Sequence, residues 1–212
     1  MPFSTPEFFD VFARYNLAIW PVQVLAYVAG LTVLALALRP FRYSVRSIGA
    51  LLALMWAVNG IGYHLIFFTA INPLAQVFGV AFLVQAVALA VWPWIQPRAE
   101  LRLGRDARGT AALALAVFAM VLYPLWGYAA GHGWPGMPAF GVAPCPTTIF
   151  TIAILLLAPW RAARWLLIIP GLWALVGGSA AILLRVPQDT GLLFSAALIV
   201  AFSLARRRIG WG

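Results

Sequence analysis

The stretch that decides the fold contains no charged side chain: between Arg46 and Arg98, residues 47–97 are SIGALLALMWAVNGIGYHLIFFTAINPLAQVFGVAFLVQAVALAVWPWIQP. A helix needs about 20 mainly apolar residues to cross the hydrocarbon core of a bilayer. These 51 residues are long enough for two such helices and a short turn between them. The stretch therefore predicts a transmembrane helical hairpin.

The composition of the whole chain agrees with a membrane protein. Of the 212 residues, 64% are hydrophobic and 9% are charged, and the mean hydropathy is +0.96. A soluble domain carries about 25% charged residues, so this balance excludes a soluble globular protein. All 14 basic residues are Arg, which excludes Schiff-base chemistry on a lysine. The single cysteine, Cys145, excludes an internal disulfide.

Charge-free intervals elsewhere in the chain predict further spans. We predict an all-α transmembrane bundle, a single integral-membrane domain over residues 1–212. Its seven spans are predicted at 17–38, 47–68, 73–95, 109–130, 145–159, 164–184 and 189–205. The fifth is too short to cross comfortably, so it begins earlier in the loop, thins the bilayer locally or is re-entrant.

The arginines predict the orientation of these spans. Loops that would share one side carry Arg39, Arg42, Arg46, Arg98, Arg102, Arg105, Arg108, Arg161, Arg164, Arg206, Arg207 and Arg208. The other side has only Arg14 and Arg185. Because cytoplasmic loops are enriched in basic residues, we predict that the N-terminus faces out and the C-terminus faces the cytoplasm. The net charge of +9 then indicates contact with anionic lipids and not with nucleic acid.

Two segments are predicted to lie at the outer face. Residues 1–16 contain a helix start, with a hydroxyl cap at Ser4, Pro6 in the first turn and Glu7 three residues after the cap. Phenylalanines on one face favour a helix lying on the membrane surface, and its acidic residues argue against a secretory signal peptide. In the outer loop 131–146, half of the residues are Gly or Pro, which predicts an irregular lid over the bundle.

Polar side chains are concentrated in the outer halves of the spans. Polar groups in hydrocarbon must be satisfied by each other or by water, so we predict one outward-facing polar vestibule that binds or conducts a small solute. Its predicted binding residues are Gln23, Asn59, Tyr63, His64, Asn72, Gln76, His132, Thr147, Thr148, Arg185 and Asp189. No carboxylate is expected inside the spans, which argues against a proton-coupled carrier and against catalysis by paired carboxylates.

Each of these residues also has a purely structural interpretation. The amides would hydrogen-bond neighbouring helices. Arg185 would extend towards water and pair with Asp189, four residues later. Pro146 and the two threonines after it would only begin a helix, and Cys145 would be a small buried side chain.

The two histidines, His64 and His132, sit at the outer ends of predicted hairpins. Together they would suit a haem, or a copper or zinc site with Cys145. However, 68 residues separate them, and neither has a second ligand three or four residues away on its helix. We therefore predict no cofactor, no bound metal and no catalytic residue.

Several segments resemble a family of bacterial multi-pass membrane proteins of unknown function. They are YNLAIWPVQVLAY (15–27), NGIGYHLIFFTAINP (59–73), AGHG (130–133), GVAPCPTTIFT (141–151), GGSAA (177–181) and VPQD (186–189). The resemblance implies a bacterial inner-membrane protein and implies no activity.

Three classes of function remain open. The first is a small-solute binder, conduit or carrier that uses the vestibule. The second is an accessory protein that offers only helix faces. The third, which the spacing disfavours, is a metal or haem protein or a membrane enzyme. The predicted partners are the lipid bilayer and a small solute, and the oligomeric state is left open.

Overall fold

In a computed structural model, residues 2–209 are described, with side chains as far as Ala205. Helices connected by loops make up this part of the chain, and no β-strand occurs in it. The helices are α1 (Thr5–Ala18), α2 (Val22–Leu38), α3 (Ser44–Val58), α4 (Ala75–Ile95), α5 (Ala107–Val117), α6 (Tyr123–Ala129), α7 (Pro144–Leu155), α8 (Trp160–Ala163), α9 (Ile168–Gly178), α10 (Ala180–Leu183) and α11 (Thr190–Ile209).

Several helices are long and apolar enough to cross a membrane, which indicates a membrane location. Within the described residues these are Ser44–Ala70, Ala75–Ile95, Ala107–Ala129 and Pro187–Ala205, and the bent pair α1 and α2 makes a fifth if it is one broken span. Pro144–Leu155 and Ile168–Leu183 are apolar but shorter. The structure therefore has four to five candidate spans by length and composition, and each of the seven predicted segments overlaps at least one helix.

The first helix begins as predicted. The Ser4 hydroxyl accepts a hydrogen bond from the Glu7 amide at 3.4 Å, and the Glu7 carboxylate accepts one from the Ser4 amide at 2.8 Å. This reciprocal pair satisfies two amides that a helix start leaves free. The predicted first span at 17–38 begins later, at Val22, because the chain bends by 87° between α1 and α2. Pro21 lies at the bend, where it has no N–H to continue a helical ladder.

Helices α3 and α4 form the predicted hairpin and approach closely through glycines. A Cβ added at Gly49 would lie 2.7 Å from the Leu89 carbonyl oxygen, and one at Gly60 would lie 3.1 Å from the Gly79 carbonyl oxygen. Small residues allow such backbone contact between apolar helices. Beyond Val58 the helix widens into a π-helical segment, Asn59–Phe67, a geometry that is frequent at functional sites.

Helix α7 lies in the middle of the bundle. Every residue from Pro144 to Leu155 is buried, which explains why the segment is apolar on all sides. The loop before it also enters the bundle: residues 139–143 are buried, and a Cβ at Gly30 of α2 would lie 2.6 Å from the Phe140 ring. The second half of the predicted lid is therefore part of the core.

The loops group at two ends of the bundle as the alternation of spans predicts. At one end, here called the arginine end, Leu103 donates to the Ala37 carbonyl at 2.9 Å and the Trp92 indole donates to the Ala162 carbonyl at 2.7 Å. The loops and the first helical turns at this end carry nine arginines, from Arg39 to Arg164. The side chains of Arg206, Arg207 and Arg208, which belong to the predicted basic set, lie outside the described residues.

At the opposite end, here called the α1 end, α1 and the 131–143 loop cover the helices. The Asn16 amide donates to the Pro135 and Met137 carbonyls at 2.7 and 2.8 Å, which joins α1 to this loop. The Tyr15 hydroxyl donates to the Val142 carbonyl at 3.0 Å, and the Phe12 ring stacks on Tyr63 with centroids 4.6 Å apart.

Candidate functional site

A cavity of about 220 Å³ lies at the α1 end of the bundle, between α1, the π-helical segment Asn59–Phe67 and the helices α4, α7, α9 and α10. Its wall is mainly apolar and rich in aromatic rings. The aromatic residues that line it are Phe3, Phe8, Phe12, Tyr63, Phe68, Phe78 and Trp173. Asn72, Cys145, Ser179 and Asp189 add polar atoms to the lining. The cavity is small, so only a small molecule fits inside it.

Asp189 is the charged residue among those that line the cavity. It ends a single 3₁₀ turn, Pro187–Asp189, directly before α11, and it is 1% exposed. The Tyr123 hydroxyl donates a hydrogen bond to Asp189 Oδ1 at 2.6 Å. Asp189 Oδ2 has no hydrogen-bond partner among the described residues, apart from the adjacent Cys145 thiol, which is a weak donor. One oxygen of this buried side chain thus lacks a strong hydrogen-bond donor among the described residues.

A buried carboxylate corrects the expectation that none lies inside the bundle and that Asp189 pairs with Arg185. Arg185 is exposed, with a φ of 56°, and the described residues show one ion pair, between Arg14 and Asp10 at 3.1 Å. Side chains four residues apart face each other only on a continuous helix. Between α10 and α11 the chain reverses at Arg185, so Arg185 faces outward and Asp189 faces inward.

Trp173 of α9 and Cys145 of α7 complete the polar part of the cavity wall. The Trp173 indole N–H is buried and has no hydrogen-bond partner among the described residues beyond the nearby Cys145 thiol. Trp173 and Asp189, which both line the cavity, therefore carry an unpaired buried donor and an unpaired buried acceptor among the described residues. Neither Tyr123 nor Trp173 was among the predicted binding residues. The only sequence signal for them is that each places a phenol or an indole within an apolar helix.

Of the predicted binding residues, Tyr63, Asn72 and Asp189 line the cavity. The Asn72 side-chain oxygen accepts a hydrogen bond from the Leu74 amide at 3.1 Å, and its NH₂ group makes no hydrogen bond to the described residues. Gln76, which was predicted to share a helix face with Asn72, is exposed. The two residues share no face because Asn72 precedes α4 and Gln76 lies within it.

The other predicted amides form contacts between helices. Asn59 Nδ2 donates to the Met55 and Gly141 carbonyls at 2.8 and 3.2 Å and lies 3.3 Å from Thr147 Oγ1. Gln23 Nε2 donates to the Asn16 carbonyl at 2.9 Å. Thr148 is fully buried, and its hydroxyl has no partner in the described part of the chain. These residues are buried but do not line the cavity.

The two histidines have different neighbours. His64 is fully buried, with its ring centroid 4.7 Å from Phe82 and 5.1 Å from Trp173, and neither nitrogen has a partner among the described residues. His132 is half-buried in the loop at the α1 end and stacks on Phe9 at 3.9 Å, and burial lowers its pKa. No group of three or more His, Cys, Asp or Glu within residues 2–209 is placed to hold a metal ion.

A buried amide near the arginine end was also not predicted. Gln85 Nε2 of α4 donates to the Leu166 carbonyl at 2.9 Å, and Gln85 is 1% exposed.

Gln188 is a second buried amide, at the α1 end. It lies beside Asp189 in the chain, and a Cβ added at Gly127 would lie 3.0 Å from Gln188 Nε2. The glycine therefore makes room for this amide.

Comparison with known proteins gives a family and no activity. Residues 5–210 match the model of a family of unknown function, DUF6064, so the chain belongs to this family. No curated protein and no solved structure matches the chain.

Proposed function

We propose that this DUF6064 protein binds a small solute in the cavity at the α1 end, and that this end faces the outer side of a bacterial inner membrane. In this proposal seven helical segments cross the bilayer, with the N-terminus outside and the C-terminus in the cytoplasm. Helix α1 then lies along the outer surface. The lipid bilayer and the solute are its partners.

The distribution of arginine supports this orientation. Nine arginines lie in the loops and first helical turns at the arginine end, whereas Arg14 and Arg185 belong to the α1 end. Basic residues are retained on the cytoplasmic side during insertion, so the arginine end is assigned to the cytoplasm. The cavity at the α1 end is then on the outer side.

The single observation that carries the proposed binding is the free Oδ2 atom of Asp189. Burying a carboxylate away from water costs several kcal/mol unless its oxygens are paired. Ionisable residues inside membrane proteins are therefore rare and usually mark a functional site. Here the free oxygen belongs to a residue that lines a cavity large enough for a small molecule.

The packing near the arginine end supports binding over an open conduit. Below the cavity, α7 is buried along its whole length, and its side chains Ile152, Ile154 and Leu155 are each at most 2% exposed. Transport through the bundle would require these helices to separate. An accessory role is the second candidate function, because the Asn59 and Gln23 amides bond across helix interfaces as a purely structural role requires.

Cysteine labelling tests the proposed binding site. In a Cys145→Ser background, Asn72→Cys and Ser179→Cys at the cavity should react with a small membrane-impermeant thiol reagent added outside intact cells. Leu156→Cys, buried at the arginine end, is the matched control and should stay unreacted until the protein is denatured. If both cavity cysteines react only after denaturation, the cavity is closed to the outside. The accessory role is then favoured over solute binding.

A further inference from the structure

We propose that the solute is a small organic ammonium ion, with Asp189 as its counter-ion and the aromatic wall around its alkyl groups. This inference rests on the proposed function, because it names the class of ligand for the same cavity.

The first argument is the charge of Asp189. Its carboxyl group is 1% exposed, and no Arg or His nitrogen of the described residues lies within 4.0 Å of it. An ionised carboxylate in such a place requires a cation to offset its desolvation. Since the described residues supply none there, we infer that a bound cation is the partner of this carboxylate.

The second argument is that two local features offset part of the desolvation that burial imposes on an ionised Asp189. Tyr123 donates a short hydrogen bond to Oδ1, and Asp189 immediately precedes α11, a helix of 20 residues. Hydrogen bonds to a carboxylate and the positive end of a helix dipole both stabilise its negative charge. Because Tyr123 occupies Oδ1, Oδ2 is the atom that contacts the ligand.

The third argument is the chemistry of the wall. Phe8, Phe12, Tyr63, Phe68 and Trp173 line the same cavity. Aromatic rings attract cations through their π-electrons, and aromatic cages are the usual binding sites of quaternary ammonium groups. A hard metal ion instead needs six or more oxygen ligands, which this wall lacks. An anion would be repelled by Asp189, and a wholly apolar solute would leave its carboxylate unpaired.

The experiment compares choline with 3,3-dimethylbutan-1-ol, which has the same shape but a carbon atom in place of the charged nitrogen. Binding to the purified full chain in detergent is measured by calorimetry. Choline should bind to the wild type, and the neutral alcohol should bind at least tenfold more weakly. Asp189→Asn should weaken choline binding about 100-fold, because it removes one partner of a buried charge pair. Asp106→Asn, at the exposed start of α5, is the matched control and should leave binding unchanged.

A labelling measurement on protein that retains Asp189 covers the case in which Asp189→Asn does not fold. Choline should slow the reaction of Asn72→Cys with the thiol reagent, and the neutral alcohol at the same concentration should not. If the alcohol binds or protects as well as choline, the ligand is not selected for its positive charge. The proposal of an ammonium ligand is then wrong, whereas the proposal of a binding cavity is retained. The class is also overturned if Asn72→Cys reacts but choline neither binds nor protects. If Asn72→Cys and Ser179→Cys are both inert and choline does not bind, the proposed function fails as well.

Discussion

The Tyr123 hydroxyl donates a 2.6 Å hydrogen bond to Asp189 Oδ1, and it thereby joins α6 to the turn before α11 across 66 residues of sequence. Both residues are 1% exposed, so water does not compete for this bond. A hydrogen bond to a charged or strongly polar group in such surroundings is worth more than one at a surface. This contact holds one wall of the cavity in place and leaves Oδ2 of the same carboxylate free.

Tyr123→Phe is expected to destabilise the protein by about 2 kcal/mol, because it removes a donor to a buried carboxyl group and leaves the ring in place. The midpoint of thermal unfolding in detergent would measure the loss. Tyr128→Phe, at a residue that is 72% exposed, is the control and should have no effect. Equal midpoints for the two variants would show that the Tyr123 bond contributes nothing to stability.

Arg108→Gln should also destabilise the fold. The Arg108 guanidinium donates to the Leu156 carbonyl at 2.6 and 3.1 Å and to the Ala158 carbonyl, which satisfies acceptors left free after the end of α7. Losing these charge-assisted bonds should cost about 2 kcal/mol. Arg102→Gln, an exposed arginine at the same end, provides the comparison in the same unfolding assay. A larger loss for the Arg102 variant would contradict this role of Arg108.

Gly49→Ala should separate α3 from α4. Its new methyl carbon would lie 2.7 Å from the Leu89 carbonyl oxygen, closer than van der Waals contact permits, and backbone cannot move aside cheaply. We expect a destabilisation of about 1 to 3 kcal/mol. Gly171→Ala of α9 is the matched control, since the nearest atom to its added carbon is 3.8 Å away. If both variants unfold at the wild-type temperature, the close approach of the hairpin helices does not limit stability.

Reporter fusions test the proposed orientation. Fusions after Arg46, Arg108 and Arg164 should report the cytoplasm, and a fusion after Gly133 should report the outer side, because arginine-rich loops stay inside. An outer signal after Arg164 alone would show that α7 is re-entrant and that six segments cross the membrane. Reversal of all four signals would place the cavity on the cytoplasmic side.

The positions of the helices could be predicted almost completely from the sequence. The predicted span at 73–95 is helical over Ala75–Ile95, and the ends of the predicted span at 109–130 agree with those of Ala107–Ala129 to within two residues. Charged side chains are too costly to place in hydrocarbon, so the arginines mark where each apolar segment must end. The capping box at Ser4 was predictable for a similar reason, because it depends on residues only three apart.

The candidate site was predictable only in part. The polar residues were expected to meet in one wide vestibule, and the structure brings Tyr63, Asn72 and Asp189 to a smaller cavity whose wall is mainly aromatic. Asn59 turns instead towards the Gly141 carbonyl, and Gln76 is exposed. Depth along a helix can be estimated from sequence, whereas the face that a residue presents to its neighbours depends on how the helices are rotated and packed.

By itself the sequence determined that the chain is an all-helical membrane protein, where its apolar segments lie, and which loops meet at each end. These properties follow from the local cost of charge in hydrocarbon and need no knowledge of contacts. Only the tertiary structure decided that Asp189 is buried. The chain reverses at Arg185 with a left-handed φ of 56°, and Tyr123 of α6 and Cys145 of α7 converge on the carboxyl group, with Trp173 of α9 beside Cys145. These contacts arise from packing between segments that are far apart in sequence. The hydrophobic periodicity of a single segment therefore cannot predict them.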